Sequence, residues 1–343
     1  MTATRRAWTL GPFLLAACSG PSGGQALDDA GTLHFPDSAS DAKHTVTDDA
    51  RADRSAPDGA VVPDAAQVAV QRGPVSLSLS GDPEGLWWDA ASSTLYIADQ
   101  ENNQILTWTD AAGFKTWSVL PGGAQGGEDL GQIVLTPQGN LVVIVFGFGT
   151  NGAIDIVAPD GTAAVISGLD PTFRRLGLTQ ASDGTLYESY FSKASEASNA
   201  QGYVARLTLT SSGTGWSGTE TTVVSGLGKP VGVLASGSSL YITDQATNDF
   251  YAVPIASLPS TTPVVLGSNL ALDLISQGPN GSFFTGSSTG DLEELTAAGA
   301  ETVFVSGYAN PRGSAYDAAH DRVFFGNHIT SSGNNQLVIV PGP

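Results

Sequence analysis

From Val75 onward, apolar and polar residues alternate in short runs separated by clusters of Gly, Asn, Asp, Ser and Pro. Period-two alternation bounded by turn formers predicts half-buried β-strands, and no long stretch carries the apolar period of a helix. The runs also repeat. PEGLWWDAASSTLYIADQENNQILTW (83–108) and KPVGVLASGSSLYITDQATNDFYAVP (229–254) share one frame. Both pass from a glycine through an apolar segment and a turn into Leu-Tyr-Ile-x-Asp-Gln, then a polar loop and a further apolar segment. The frame returns in GQIVLTPQGNLVVIVF (131–146), GLTQASDGTLYESY (177–190), LISQGPNGSFFTG (274–286) and GSAYDAAHDRVFFGN (313–327). Its starts fall at 85, 131, 177, 232, 274 and 313. Four short strands per unit of about 45 residues, six times over, predict an all-β protein: a six-bladed β-propeller of four-stranded blades over residues 73–343.

Each of the first five units ends in a fourth strand, at 115–120, 162–167 and 301–306 for example. The sixth stops at its third, 337–340, while an orphan strand at 75–80 precedes the first unit. Strand 75–80 is therefore expected to complete the last blade. That latch closes the ring and removes the open sheet edge that would otherwise invite aggregation.

The chain ahead of the propeller has a different character. Arg5 and Arg6 precede an apolar run, Ala7 to Ala17, which is too short to span a bilayer and reads as an export signal, residues 1–17. It ends in Leu15-Ala16-Ala17-Cys18, which resembles the lipobox of bacterial lipoproteins, and Cys18 is the single cysteine of the chain. The resemblance implies lipidation at Cys18 and an envelope location. Ser19 after the cysteine points to the outer membrane, on a side left open; the alternative is an ordinary signal peptide with a chance cysteine. Several acyl chains anchor stably where one is marginal, at about 0.8 kcal/mol per buried methylene. Residues 18–72 carry nine Asp, no Glu and one aromatic, Phe35. Such a stretch cannot bury enough apolar surface to offset its ordering entropy and is expected to be a disordered tether.

The net charge is −19, and residues 73–343 alone hold 24 acids against 8 bases. An acidic domain repels phosphate backbones, so no nucleic-acid partner is expected. Gly147 to Gly152 matches GxGxxG, but a strand and turn follow where phosphate binding needs a helix N-terminus, so no nucleotide is expected either. The GxSxG matches at 20–24 and 286–290 lack a strand-to-helix elbow. His34, His44, His320 and His328 lack the paired spacing of a zinc site. Asp99 and Asp244 end the second strands of their units. They are either ligands at the channel mouth or acceptors of turn N–H groups, and turn chemistry favours the second.

The loop ENNQI and the Leu-Tyr-Ile-Ala-Asp pattern at 95–99 resemble NHL repeats, and the opening unit is similar to the SMP-30/gluconolactonase family. Innermost strands line a propeller's channel. Aligning the units on their glycines puts Glu84, Leu130, Leu176, Val231, Asp273 and Arg312 in a ring at one mouth. In the fifth unit Leu274 replaces glycine, so Asp273 is placed by matching Phe283 to the Leu of the other units. The resemblance implies a divalent cation, commonly calcium, held by a Glu from blade 1, Asn from blades 3 and 4 and an Asp from blade 5. That makes Glu84 and Asp273 the metal ligands, with Asp273 activating water if the chain is a lactonase. Leu176 and Val231 stand at the two Asn positions and have no oxygen to give. In a closed ring Arg312 lies between Asp273 and Glu84, so a salt-bridged arc in place of the metal is expected. On this reading the protein is a binding module for a small molecule or protein, with no required cofactor. The alternative is a metal-dependent lactonase or esterase, since propellers host many functions.

Overall fold

The structure is a computed structural model that describes residues 73–121, 129–147, 151–192, 201–213, 215–270, 272–287, 289–329 and 334–343. The export signal 1–17, Cys18 and the tether to residue 72 lie outside the described residues.

Strand β1 (Val75–Ser78) opens the described chain, and the strands after it form six four-stranded antiparallel sheets. Blade 1 is β2 (Pro83–Asp89), β3 (Thr94–Asp99), β4 (Gln104–Thr109) and β5 (Gly113–Val119). Blade 2 is β6 (Leu130–Leu135), β7 (Leu141–Val145), β8 (Ala153–Val157) and β9 (Ala163–Val165). Blade 3 is β10 (Phe173–Gln180), β11 (Leu186–Ser192), β12 (Gly202–Ser212) and β13 (Gly215–Leu227). Blade 4 is β14 (Pro230–Ser236), β15 (Ser239–Asp244), β16 (Asp249–Pro254) and β17 (Val264–Ser268). Blade 5 is β18 (Leu272–Gln277), β19 (Phe283–Ser287), β20 (Leu292–Leu295) and β21 (Glu301–Val305). Blade 6 is β22 (Pro311–Asp317), β23 (Arg322–Asn327) and β24 (Gln336–Pro341), with β1 as its outer strand.

The closure is the one the sequence implies: β1 pairs antiparallel with β24, Val75 opposite Ile339 and Leu77 opposite Leu337. The strand ends at Ser78, and the Leu79 N–H continues the contact to the Asn335 carbonyl at 2.8 Å. Leu77 and Leu79 also pack with Leu86, Leu95, Phe324 and Leu337 in the core between blades 6 and 1. Arg322 fastens the same seam. Its Nη atoms reach Asp110 of blade 1 at 2.9 and 2.8 Å, its Nε reaches Asp317 at 2.9 Å, and its guanidinium lies 4.9 Å from the Phe324 ring centre.

Five further apolar clusters fill the other blade-to-blade junctions, such as Val204 and Tyr187 with Val233 and Ile242 between blades 3 and 4. Each buried Leu, Val, Ile or Phe contributes roughly 1.5–3 kcal/mol, so stability is shared around the ring. Blade 3 departs from the common length because β12 and β13 run for 11 and 13 residues. Their extension explains the 55-residue spacing between the third and fourth units, and it makes parallel bridges to both neighbours, Ser167 to Ser217 and Val224 to Ser260.

Every innermost strand carries a register shift near its start, falling between Pro83 and Leu86 in blade 1 and between Pro311 and Ser314 in blade 6. A bulge of this kind turns a side chain out of the pleat. The glycine beside it has a steric cause. A Cβ on Gly85 would lie 2.2 Å from the Gly131 carbonyl oxygen, and one on Gly313 2.2 Å from that of Glu84. The next blade's backbone occupies the space a side chain would need.

Candidate functional site

The bulges define the ring at the mouth. By strand register the shifted segment starts at Pro83, Leu130, Arg175, Pro230, Leu272 and Pro311. The residue after each of these is the ring member: Glu84, Gly131, Leu176, Val231, Asp273 and Arg312. Five of the six sequence-derived positions coincide with it. Leu130 does not. It pairs with Val145 as Pro83 pairs with Asp99, and its side chain is fully buried in the core between blades 1 and 2. Alignment on glycine slips by one residue here, because in blade 2 the glycine is the ring member and Gln132 follows it. Gln132 instead crosses the channel, donating from Nε2 to the Ile275 carbonyl of the facing blade 5 at 2.8 Å. It makes a floor beneath the ring.

Arg312 joins the two carboxylates. Its Nη1 donates to Asp273 Oδ2 at 2.7 Å, and its Nε lies 3.4 Å from Glu84 Oε2. The two contacts are unequal. The first is a charge-assisted hydrogen bond, whereas among the described residues neither Glu84 Oε2 nor Arg312 Nε completes one. Burial of Glu84, whose side chain is 5 % exposed, pushes its pKa up to about 8. Arg312 opposes that rise, while Asp273, Asp82 and Asp129 add to it. Around neutrality Glu84 is therefore largely a neutral acid, and Asp273 is the better ionic partner. The neighbouring carboxylates hold the Arg312 guanidinium firmly protonated, so it brings a fixed positive charge to the mouth.

A second ring sits above the first, and the sequence frame did not disclose it. In blades 1, 2, 4 and 6 the residue after the second strand is tied to the chain entering the first strand, and in blade 3 a strand pair does the same. The Gln100 N–H donates to the Asp82 backbone carbonyl, and those of Phe146, Gln245 and His328 to the carbonyls of Asp129, Lys229 and Asn310, while Phe191 pairs with Arg174. Asp82, Asp129, Arg174, Lys229 and Asn310 are therefore level with one another. Asp82 Oδ2 contacts His328 Nδ1 and Gln100 Nε2, each at 2.5 Å. Burial raises the Asp129 pKa, against the opposing pull of Arg312 and His328. Burial lowers that of Lys229, whose ammonium lies 5.7 Å from the Phe191 ring centre. Arg174 similarly lies 5.6 Å from Phe146. Arg312 acts on Asp129 and on Lys229 alike, as expected of groups that share one channel mouth. The signal was available two residues upstream of the frame, in Asp82-Pro83-Glu84-Gly85 and Lys229-Pro230-Val231-Gly232.

Asp99 and Asp244 serve the backbone. Asp244 accepts from the N–H groups of Gly228 at 2.6 Å, Lys229 at 2.8 Å and Ala246 at 2.9 Å. Asp99 accepts from the Asp82 N–H at 2.9 Å and from Gln104 Nε2 at 2.7 Å. They anchor the segments that enter the first strands, which is how the upper ring is held. No helix follows the 147–152 glycines; β8 does, as the sequence context implies.

No family model and no curated protein sequence matches the chain. The fold does match solved structures: the chain is a six-bladed propeller structurally similar to gluconolactonase and SMP-30 propellers and to streptogramin B lyase. A gluconolactonase of Xanthomonas campestris shares 18 % identity with a TM-score of 0.58, over 79 % of this chain and 89 % of that one. The calcium-binding protein regucalcin of Agrobacterium tumefaciens shares 14 % at 0.58, over 76 % and 91 %. A luciferin-regenerating enzyme shares 14 % at 0.57, over 79 % and 96 %. At these identities the likeness is one of fold.

The resemblance to the SMP-30/gluconolactonase family implies a divalent cation, and the donor set here does not fit one. Calcium takes six to eight oxygens at 2.3–2.6 Å. Leu176 and Val231 offer none, and the Arg312 guanidinium stands between Glu84 and Asp273. No group of three His, Cys, Asp or Glu among the described residues is arranged to hold a metal.

Proposed function

We propose that this protein is a lipid-anchored cell-envelope propeller whose channel mouth binds a small ligand without a metal. The observation that carries the reading is Arg312, which occupies the space between Glu84 and Asp273 where a lactonase-type cation would sit. A guanidinium there supplies fixed positive charge and repels a divalent ion. Gln132 crosses the channel beneath the ring to the Ile275 carbonyl, so a ligand at the mouth would meet a polar side chain below it. The runner-up, a divalent-metal-dependent hydrolase of a small lactone or ester with Asp273 activating water, draws on the shared fold and requires Arg312 to leave the ring.

Thermal unfolding of the full chain separates the two. A ligand that binds only the folded state raises the midpoint. The midpoint should be the same in calcium and in chelator, and gluconolactone hydrolysis should not exceed the background. A calcium-dependent rise would favour the hydrolase. Anchoring is tested separately: labelled palmitate should enter the wild type and not Cys18→Ser, and a wild type that takes up no label, or a Cys18→Ser variant that takes up as much, would refute lipidation at Cys18.

A further inference from the structure

The two rings divide the mouth by charge. Blades 1 and 2 present Asp82 and Asp129 with Glu84 below; blades 3 and 4 present Arg174 and Lys229. In a ring of six, blade 4 faces blade 1, so Lys229 stands across the channel from Asp82. Residues 73–343 contain only eight Lys or Arg, and three of them, Arg174, Lys229 and Arg312, stand close enough at this mouth to act on one another. A solubilising surface would scatter its scarce cations over the outside of an acidic domain.

Both sides keep unused capacity. On the acidic side Asp82 is buried; its Oδ2 is shared by His328 and Gln100, while its Oδ1 has no hydrogen-bond partner among the described residues. Buried carboxylate oxygens left in that state are costly, and a bound donor would satisfy them. On the basic side the half-buried Lys229 ammonium has no carboxylate within ion-pair distance among the described residues, only the Phe191 ring. Between the poles lie Leu176 and Val231, which are apolar, over the Gln132 floor. Solvent reaches this level, because Arg312 at the centre of the ring keeps 27 % of its side chain exposed.

We propose that the mouth binds a small zwitterion. Its ammonium group docks on Asp82 and Asp129, its carboxylate on Lys229, and a short apolar spacer crosses Leu176 and Val231. This rests on the metal-free reading above and names its ligand class. Opposite blades hold the two poles, so an ω-amino acid or a dipeptide matches the site better than an α-amino acid, whose charges are too close together.

The test uses the full chain and measured midpoints of thermal unfolding. The probes are glycine, 4-aminobutanoate, 6-aminohexanoate and glycylglycine, with butylamine, butyrate and their mixture as single-charge controls. The longer zwitterions should raise the midpoint saturably, by ~3 °C near saturation, with glycine and the controls well below them. Lys229→Met and Asp82→Asn should each abolish the response, whereas Lys115→Ala on the outer strand of blade 1 should retain it. If Asp82→Asn does not fold, Lys229→Met carries the test alone, since the side chain is half-buried and makes no ion pair among the described residues. An equal response to butylamine alone, or to butyrate alone, overturns the proposal, as does a response that survives Lys229→Met. Silence toward all probes overturns it too, while the calcium titration separately decides whether the metal-free reading stands.

Discussion

Arg175 and Arg312 each face two carboxylates, yet the first is built into the fold and the second is exposed at a site. Arg175 is fully buried in blade 3, with Nε 3.0 Å from Glu188 Oε2 and 2.9 Å from Glu220 Oε1. Its Nη2 donates to Glu220 and to the Asp170 carbonyl, and its Nη1 to the Phe173 carbonyl. Each of the three guanidinium nitrogens is engaged. Burial holds the Glu188 carboxyl well above its ordinary range against the pull of Arg175, so the cluster approaches neutrality by keeping a proton. Arg312 instead makes one good bond, one loose one, and remains open to solvent. Two arginines with similar partners thus do different work. An arginine whose three nitrogens are all engaged away from solvent marks structure, even though both Glu188 oxygens lack a hydrogen-bond partner among the described residues, and a loosely held one in reach of solvent marks a place for something else to bind.

The largest effect that would test this contrast is at Arg175. Arg175→Met leaves Glu188 and Glu220 buried without their cation and should cost about 3–5 kcal/mol in chemical denaturation. A loss below 1 kcal/mol would place Arg175 with Arg312 rather than against it. Next comes Glu84. Its folded pKa is raised, so its contribution to stability is fully present below the unfolded value near 4.5 and is lost as pH rises through about 8. Between pH 5 and pH 8 the wild type should therefore lose stability relative to Glu84→Gln, on the order of 2 kcal/mol, and parallel pH profiles for the two would refute the assignment. Smaller still is the direct cost of Arg312→Ala, about 1 kcal/mol or less for a partly exposed pair. The gain there is more telling. Combined with Leu176→Asn and Val231→Asn, it restores four oxygen donors, so calcium should raise the midpoint of the triple variant and leave the wild type unmoved. A triple variant indifferent to calcium would show that Arg312 is not what keeps a cation out.

The arc of Glu84, Asp273 and Arg312 was legible before any coordinates, because three blades share a frame and closure makes blade 6 the neighbour of blades 5 and 1. Leu130 was misplaced for an equally physical reason. A glycine can serve either position of the bulge, as the ring member in blade 2 or as the residue after it in blade 1, and only strand pairing tells which. Asp82, Asp129, Arg174 and Lys229 escaped notice because they sit outside the alternating pattern, in segments whose level is set by bonds to Gln100, Phe146 and Gln245 and by the pairing of Arg174 with Phe191.

Taken alone, the chain's periodicity determined six four-stranded blades and the latch between β1 and β24, since alternation and spacing are local properties that each unit repeats. Which side chains meet across the channel was decided by the tertiary structure alone. Gln132 reaching Ile275, and Lys229 standing opposite Asp82, join residues far apart in sequence, and only the closed ring brings them to one mouth.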